Sequence, residues 1–340
     1  MALRYSIPIF VLATVPIGFM LGGVWTWLTV MIMPTCLPLL DWLLGEDRGL
    51  HSAADVVGYR LLPWLYIPLQ IATTLWAAIS ISRSGVSLVE VAGLAASVGV
   101  TAGVFGFLAA HEMVHSVRQT ERGVGLLLLA SVFYMHFRIA HIQGHHGRAA
   151  TAADPATARL GESAYRFLVR SVAGQVREAW GFEAARLTRA SQNLFGPANR
   201  MLQYFAIEAS ILVCVAMLGG RALAFFLAQA VLAVVLLELF NYVAHYGLAR
   251  RMLPGGGYER LDARHSWNSS RRMNNWTLFN MGCHSDHHRF SARHYQCLET
   301  LPNSPELPTG YAGAILMALV PPLWRRVMNS RAQIWARAPL

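Results

Sequence analysis

Long apolar blocks alternate with polar segments along the chain, and six of these blocks are about as long as a bilayer is thick. A helix of roughly 20 apolar residues crosses the hydrocarbon core. The blocks come in three consecutive pairs, with a short turn inside each pair. The pattern therefore predicts an all-α membrane protein with six transmembrane helices arranged as three hairpins. The predicted spans are residues 5–22, 23–45, 61–82, 87–110, 203–219 and 222–245.

Two long segments, 111–202 and 246–340, lie outside the predicted spans, and each contains one more apolar stretch. The stretch 123–137 is too short to cross a bilayer, and the stretch 311–324 is interrupted by two prolines. We expect both to lie at the membrane surface or packed beneath it. The two long segments then form a cap on one side of the membrane, and the whole chain, 1–340, forms a single domain.

The composition agrees with a multispan protein, because 55% of the residues are hydrophobic and 14% are charged, against about 25% charged residues in a soluble domain. All 28 basic residues are arginines, and only Arg83 and Arg221 fall in the short hairpin turns. Basic residues are enriched on the cytoplasmic side of membrane proteins. Both termini and the cap are therefore predicted to be cytoplasmic, in a bacterial-type inner membrane. This asymmetry also accounts for the net charge of +10 without a nucleic-acid partner.

The four cysteines are scattered and form no CxxC pair, which argues against a disulfide framework and against a thiolate zinc site. They are Cys36, Cys214, Cys283 and Cys297.

Nine of the 13 histidines fall into four groups, and their spacing indicates metal binding. Histidines four residues apart lie on one face of a helix, and such pairs occur in three of the groups. The groups fall at predicted cytoplasmic ends of spans or in cytoplasmic segments, so that all nine imidazoles can meet just inside the membrane face. They are His111 and His115; His141, His145 and His146; His245; and His284, His287 and His288.

Nine imidazoles exceed the three or four ligands of a single zinc ion and suit two metal ions. Ligation by nitrogen without thiolate fits iron or another borderline ion. Ligating histidines usually donate their second ring N–H to a carboxylate or carbonyl. Five nearby residues are candidates for that role: Glu112, Asp154, Glu238, Asn241 and Asp286. The remaining histidines, His51, His136, His265 and His294, are expected to be surface or hydrogen-bonding residues.

Two other functions remain open at this point. The HExxH spacing of His111, Glu112 and His115 also occurs in zinc proteases, but a protease would leave six histidines without a role. A metal transporter would place its ionisable residues near the middle of the membrane. The span interiors contain almost none, with Glu90 and Glu208 as the main exceptions.

Several longer strings carry a family resemblance. They are LLDWLLGED, GHHGRAATAADPATARLGES, LELFNYVAHYGL, HSDHH, LPTGY and PPLWRRVMN, and they extend over nearly the whole chain. The chain resembles the alkane 1-monooxygenases, which are integral-membrane di-iron enzymes with histidine boxes, related to xylene monooxygenases and membrane fatty acid desaturases. The strings NYVAHYGL and HSDHH separate this group from the desaturases.

The resemblance implies that the nine boxed histidines bind two irons. It implies an enzyme that uses O2 and two electrons to hydroxylate the terminal methyl group of a membrane-dissolved alkane or alkyl chain. Electrons would come from a rubredoxin-type carrier and its NAD(P)H-dependent reductase. The chain has neither a Gly-rich dinucleotide motif nor a cysteine cluster, which also points to an outside electron donor. A hydroxylase of aromatic methyl groups and a fatty acyl desaturase are the alternatives among enzymes.

The chain departs from the family pattern at Cys283, where an arginine is expected, and in the stretch AATAAD after the second box, where a more acidic sequence is expected. These departures put the substrate in doubt and leave the histidines intact. Arginines in 250–293, Arg271 and Arg272 among them, are predicted to dock an acidic carrier. Candidates for the substrate pocket are Trp25, Trp27, Met31, Phe105, Leu108, Leu236 and Phe240.

Overall fold

A computed structural model describes residues 2–47, 56–83 and 85–337 of the chain, and these residues form helices and loops with three isolated β-bridges and no strand. Short 3₁₀ turns open α1 and α2, and α4 contains a π-helical segment, Ala102–Gly106. The helices are α1 (Ala2–Leu21), α2 (Gly23–Leu44), α3 (Val57–Ser82), α4 (Leu88–His115), α5 (Gln119–Ala130), α6 (137–148), α7 (Ala164–Arg189), α8 (Arg200–Ala216), α9 (Gly220–His245), α10 (Arg272–Thr277), α11 (His284–Arg289), α12 (Tyr311–Ala318) and α13 (Pro321–Arg337).

Within the described residues, five helices are long and apolar enough to cross a membrane, namely α1, α2, α3, α4 and α9. They correspond to five of the six predicted spans. The remaining predicted span, 203–219, overlaps α8, which has 17 residues. At 1.5 Å per residue, α8 is about 26 Å long, against roughly 30 Å for a typical hydrocarbon core.

The turn between α1 and α2 is tied to the start of α4. Gly22 has a φ of 72°, a left-handed conformation that favours glycine. The backbone N–H of Gly23 donates to Glu90 Oε1 at 2.8 Å, and the Glu90 carboxylate also accepts the backbone N–H of Ser87 at the start of α4. Glu90, one of the two acidic residues noted within the predicted spans, is thus a capping residue that joins two hairpins.

Helix α4 packs closely against α9, so that the C-terminal ends of the two helices lie side by side. A Cβ on Gly103 would lie 2.7 Å from the Cα of Ala233, and a Cβ on Gly99 would lie 2.9 Å from the carbonyl oxygen of Gln229. Glycines at such a crossing allow the two helix backbones to approach closely.

The N-terminal ends of α4 and α9 lie at the same level. Arg221 Nη1, at the start of α9, donates to the carbonyl of Val86, just before α4, at 2.9 Å. From these starts, His111 lies about 35 Å along α4 and His245 about 38 Å along α9 at 1.5 Å per residue. Both distances exceed the roughly 30 Å hydrocarbon core. The helices therefore carry these two histidines to a similar depth.

The two additional apolar stretches do not form long helices. The stretch 123–137 forms the end of α5 and the following turn, and Gly125 packs against the carbonyl of Ala110 on α4. The stretch 311–324 forms α12 and the beginning of α13, which is amphipathic and buries Trp324, Met328 and Ala332. Neither α5 nor α12 has the length of a span, as the sequence predicts.

Candidate metal centre

Five histidines from three helices form one compact cluster, here called cluster A. The α4 pair His111 and His115, the α6 pair His141 and His146, and His287 of α11 each offer one ring nitrogen, and these five atoms lie within 4.8 Å of one another. The Nε2 atoms of His115, His141 and His146 form a triangle with sides of 3.0 to 3.1 Å. The Nε2 atoms of His111 and His141 are 2.9 Å apart.

Four histidines form a second group, cluster B, from His145, His245, His284 and His288, whose ligand atoms also lie within 4.8 Å of one another. The Nε2 atom of His284 is 3.1 Å from those of both His245 and His288. The two clusters are adjacent, since the ring centroids of His146 and His288 are 4.9 Å apart. All nine histidines that the sequence predicts as ligands therefore fall into these two clusters.

A π-helical turn allows α6 to contribute to both clusters. The turn Ala140–His145 interrupts α6. In a regular α-helix, residues 141 and 146 would point about 140° apart. The wider hydrogen-bonding pattern of a π turn brings His141 and His146 together in cluster A and leaves His145 to cluster B.

Five of the cluster imidazoles are held in the neutral form that a metal requires. His115 and His146 are half-buried, and the other seven are buried. Burial, and then the neighbouring imidazoles, lower the pKa values of five of the six cluster histidines on α6 and α11 far below the ordinary histidine value. These five are His141, His146, His284, His287 and His288.

The positions of the nitrogens fit bound metal ions. Two nitrogens at about 2.1 Å from a shared ion are about 3.0 Å apart when their bonds meet at a right angle and about 3.4 Å apart in a tetrahedron. The shortest observed separations, 2.9 to 3.1 Å, are close to those expected for nitrogens that share one ion. The Nε2 atoms of His145 and His287 are buried with no hydrogen-bond partner, an arrangement that is costly unless another group occupies the space between the rings.

Asp154 orients a cluster histidine. Its Oδ2 lies 2.8 Å from His145 Nδ1 and also accepts the hydroxyl of Thr157 at 2.6 Å. Burial raises the pKa of Asp154, but His145 and the hydrogen bonds outweigh burial and lower it overall. An ionised Asp154 accepts the Nδ1 proton of His145 and thereby leaves the Nε2 lone pair directed at cluster B.

The other four candidate partners have different contacts. Glu112 bonds His294 Nδ1 at 2.9 Å. Asp286 accepts from Arg293 Nη1 at 2.7 Å and from the backbone N–H of Glu299. Glu238 accepts from Asn241 Nδ2 at 3.5 Å and from side chains of α7 and the turn before α6. The described hydrogen bonds of these residues therefore do not reach a cluster histidine.

Three of the four remaining histidines lie outside both clusters. His136 is buried, His265 lies 3.1 Å from Glu259, and His294 contacts Glu112. His51 falls outside the described residues. Cys283, immediately before His284, is buried with its Sγ 3.8 Å from Thr300 Oγ1. Burial raises the pKa of this thiol to about 12, so that it is a poor nucleophile or ligand at neutral pH.

An apolar cavity of about 190 Å³ lies beside the clusters, between α2, α4, α9 and α12. Three of the predicted pocket residues line it: Leu108, Leu236 and Phe240. The Phe240 ring separates the cavity from cluster B, with its centroid 5.6 Å from that of His284. Leu108 is one helical turn before His111.

The α2 residues predicted to line the substrate pocket are not the ones that line this cavity. Trp25, Trp27 and Met31 do not line the cavity, and nor does Phe105 of α4. Trp25 and Met31 are exposed at the outer surface. The lining residues of α2 follow a regular helical spacing that the sequence contains: Val30, Met33, Pro34, Leu37 and Asp41. That spacing could have identified the inner face.

Glu178 of α7 lies against the turn that bears the second histidine group. Its Oε2 occupies the space where a Cβ on Gly144 would fall, at 2.4 Å, so only glycine permits this approach. The carboxylate pairs with Arg148, and its side chain is 9% exposed. Burial raises the pKa of Glu178 to about 7, although Arg148 opposes the increase.

The raised pKa predicts a pH dependence of stability. A carboxyl whose folded-state pKa is raised adds stability while it is protonated. For Glu178 this stability is fully present below pH 4.5 and is lost as the pH rises through about 7. We expect Glu178→Gln to flatten the decrease in the thermal unfolding midpoint between these pH values. Unfolding of both proteins across this range checks the prediction, and parallel pH profiles for the two would contradict it.

Comparison with known proteins gives a consistent assignment. A fatty acid desaturase family model matches residues 87–314. Alkane 1-monooxygenase 2 of Pseudomonas aeruginosa is 38% identical over 320 residues, which are 92% of this chain and 85% of that protein. Alkane 1-monooxygenase of Ectopseudomonas oleovorans is 37% identical over 94% of this chain and 81% of its own length. The hydroxylase component of a xylene/toluene monooxygenase from Pseudomonas putida is 29% identical over 95% of this chain and 86% of its own length.

The long apolar helices and the two histidine clusters define a multi-pass membrane protein of the fatty acid desaturase type with a candidate metal centre. Within that class, the chain belongs to the alkane 1-monooxygenase family.

Proposed function

We propose that the nine clustered histidines bind two irons and that the protein is a membrane non-haem di-iron monooxygenase. Its substrate would be an alkane or alkyl chain, hydroxylated at a terminal methyl group with O2. The observation that carries this proposal is the convergence of nine histidines in two adjacent clusters, one of which contacts the Phe240 wall of an apolar cavity. The names of the relatives support the same reaction.

Cluster A would hold one iron through five imidazoles and cluster B the other through four. Cluster B would thus offer its iron one ring nitrogen fewer than cluster A. When bound, the irons would supply the reductive activation of O2. Asp154 would hold His145 in the tautomer that directs Nε2 at the metal.

The cavity residues would position and shield the substrate. Leu108 and Phe240 would hold the chain end beside the clusters, and the apolar walls would exclude water from the reacting carbon. An alkane dissolves in the bilayer, so a cavity within the helical bundle can receive it from the lipid. Histidine ligation also avoids placing negative charge next to an apolar substrate.

We also propose the topology that the arginine distribution predicts. The chain would lie in a bacterial-type inner membrane, with α8 as a sixth, short span and both termini cytoplasmic. The metal clusters would then face the cytoplasm, where a soluble electron carrier can reach them. The cap segments 111–202 and 246–340 would form one domain with the spans.

A groove of about 1010 Å³ beside cluster B is the proposed docking surface for an acidic carrier of the rubredoxin type, itself reduced by an NAD(P)H-dependent reductase. Arg260, Arg264 and Arg289 line it together with Trp335, and His288 lies at its inner wall. These three arginines fall within the region 250–293, which is predicted to dock the carrier. Arg272, by contrast, donates to the carbonyl of Glu46 at the end of α2.

Reversing the charge of Arg289 is expected to raise the apparent KM for the carrier several-fold at low ionic strength, because rim charges steer association. The effect should shrink as salt is added. Carrier titrations with Arg289→Glu and with the double variant Arg271→Glu/Arg272→Glu would compare docking in the groove with docking at Arg271 and Arg272. Arg83→Glu, in a short turn that the proposed topology places across the membrane, is the control. Equal KM values for Arg289→Glu and the wild type would contradict docking in this groove.

Filling the cavity is expected to shift the substrate range. Leu236→Trp narrows the cavity and should favour shorter alkanes, by tenfold or more in relative turnover if about 1.4 kcal/mol of chain binding is lost. Leu227→Trp is a matched control, since Leu227 lies on the same helix and is 41% exposed. Competition assays with a series of alkanes check this, and the same preference in both variants would contradict the assignment of the cavity.

The decisive assay measures products from an alkane series and from xylene in cells that also contain a rubredoxin and its reductase. Terminal alcohols from alkanes would support the proposal. Methyl hydroxylation of xylene alone would favour the second candidate, an aromatic methyl hydroxylase, which the xylene/toluene relative supports. Alkenes from acyl chains would indicate a desaturase, and no oxidised product from protein loaded with two irons would refute the proposed function.

A further inference from the structure

A column of aromatic rings leads from cluster A to a buried carboxylate that the proposed reaction does not use. The ring of His141 stacks on Phe137, with centroids 4.6 Å apart and planes at 17°. Phe137 in turn stacks on Tyr134 at 6.3 Å. The Tyr134 hydroxyl donates to Glu238 Oε1 at 2.9 Å.

The carboxylate at the end of this column is fixed in place. Ser171 donates to its Oε2 at 2.6 Å and Gln175 to its Oε1 at 2.8 Å. Tyr134 is 2% exposed and Glu238 is fully buried. Since a buried carboxylate is costly, its retention between α7 and α9 calls for a reason, and the phenol that it faces provides one.

Tyr134 differs from the other tyrosines whose hydrogen bonds are described. Their hydroxyls contact backbone groups or side-chain amides, as in Tyr311, which donates to the carbonyl of Trp267. An amide oxygen is a much weaker base than a carboxylate, so it favours the loss of the phenolic proton on oxidation far less. A carboxylate can accept that proton, and the oxidation of a buried phenol requires such an acceptor because the phenol radical cation is strongly acidic.

We propose that Tyr134 is a protective one-electron donor to the metal centre, with Glu238 as its proton acceptor. This inference rests on the proposed function, which supplies the oxidant, a metal centre that has reacted with O2 while no substrate is in the cavity. The electron passes from Tyr134 through Phe137 and His141 to the centre, which is reduced by one electron. The phenolic O–H bond breaks, the proton moves to Glu238 Oε1, and a neutral phenoxyl radical remains. One electron from the carrier, with return of the proton, restores Tyr134.

A second aromatic column offers a matched comparison. His284, Phe240 and Tyr311 are also in sequence, with centroid distances of 5.6 Å and 4.3 Å. The column has similar dimensions, but its tyrosine faces a carbonyl. Tyr311 should therefore not form the radical, although it is as close to cluster B as Tyr134 is to cluster A in number of rings.

The test uses full-length protein in lipid nanodiscs, loaded with two irons per chain, reduced chemically and exposed to O2 without alkane. Freeze-quenched samples are analysed by electron paramagnetic resonance, with ring-deuterated tyrosine to identify a phenoxyl signal. The signal is expected in the wild type and in Tyr311→Phe. It should be lost in Tyr134→Phe and in Glu238→Gln, which keeps a hydrogen-bond acceptor but removes the base.

A second measurement follows survival during turnover. Tyr134→Phe should retain the initial rate with alkane but lose activity several-fold faster when O2 is reduced without substrate. A phenoxyl signal that persists in Tyr134→Phe would overturn the inference, as would wild-type protein that hydroxylates alkane and gives no radical. In the latter case the proposed function would still stand, whereas iron-loaded protein that does not react with O2 would refute that function itself.

Discussion

Replacing His287 with alanine is expected to lower the iron content of the purified protein below two per chain and to abolish hydroxylation. His287 is the single contribution of α11 to cluster A, and its ring centroid lies 4.5 Å from that of His111. Its Nε2 is buried without a hydrogen-bond partner. Because loss of residues that merely support ligands costs 10–100-fold in affinity or activity, loss of a ligand should cost more than about 100-fold.

Metal analysis and product assays on the same preparation would check this prediction. His294→Gln is the control, because His294 is outside both clusters and its side chain is 45% exposed. The control should retain two irons and most of the turnover. A His287→Ala protein with two irons and wild-type turnover would remove His287 from the metal centre and would contradict the two-cluster proposal.

The sequence predicted which histidines meet but not how they divide. Spacing of four residues places His111 and His115 on one face of α4, and that local rule also holds in the structure. His141, His145 and His146 are different, because a π turn separates His145 from its neighbours. The π turn is accompanied by a tertiary contact, the approach of Glu178 to Gly144, which composition and spacing do not reveal.

The sequence also does not reveal which distant residues form hydrogen bonds with the candidate carboxylates. Glu112 is next to His111, yet it bonds His294, 182 positions away in the chain. Glu238 shares a helix with His245, but its hydrogen bonds lead to Tyr134 and α7. Adjacency in sequence therefore indicated a carboxylate near the metal ligands, whereas the direction of each side chain depended on which helix packed against it. Asp154 is the candidate that is both close in sequence to a cluster histidine and hydrogen-bonded to it.

The spans show the same distinction between local and tertiary information. Hydrophobic length is a local property, and it identified α1, α2, α3, α4 and α9. The face of α2 that lines the cavity is set by packing against α4 and α12. Trp25 and Met31, which were predicted to line the pocket, are instead exposed, as expected for residues that contact lipid.

Substituting Asp154 with asparagine is expected to weaken metal binding in cluster B about 10–100-fold, with a similar loss of turnover. The asparagine amide can turn its NH2 group toward His145 Nδ1, which favours the tautomer with its proton on Nε2. That proton would occupy the position of the lone pair that a metal needs. The shape of the site is retained, since carboxylate and amide are nearly isosteric, so the effect would report the charge and the tautomer.

Asp286→Asn provides the matched control for Asp154→Asn. Asp286 is also a buried carboxylate and lies between His284 and His287, but it bonds Arg293 at 2.7 Å and has no described hydrogen bond to a cluster histidine. Iron competition titrations with a chelator would compare the two variants with the wild type. A selective loss in Asp154→Asn would show that its contact with His145 controls metal affinity. Equal affinities in the two variants would mean that any buried carboxylate near the clusters acts in the same way, and that the hydrogen bond to His145 has no specific role.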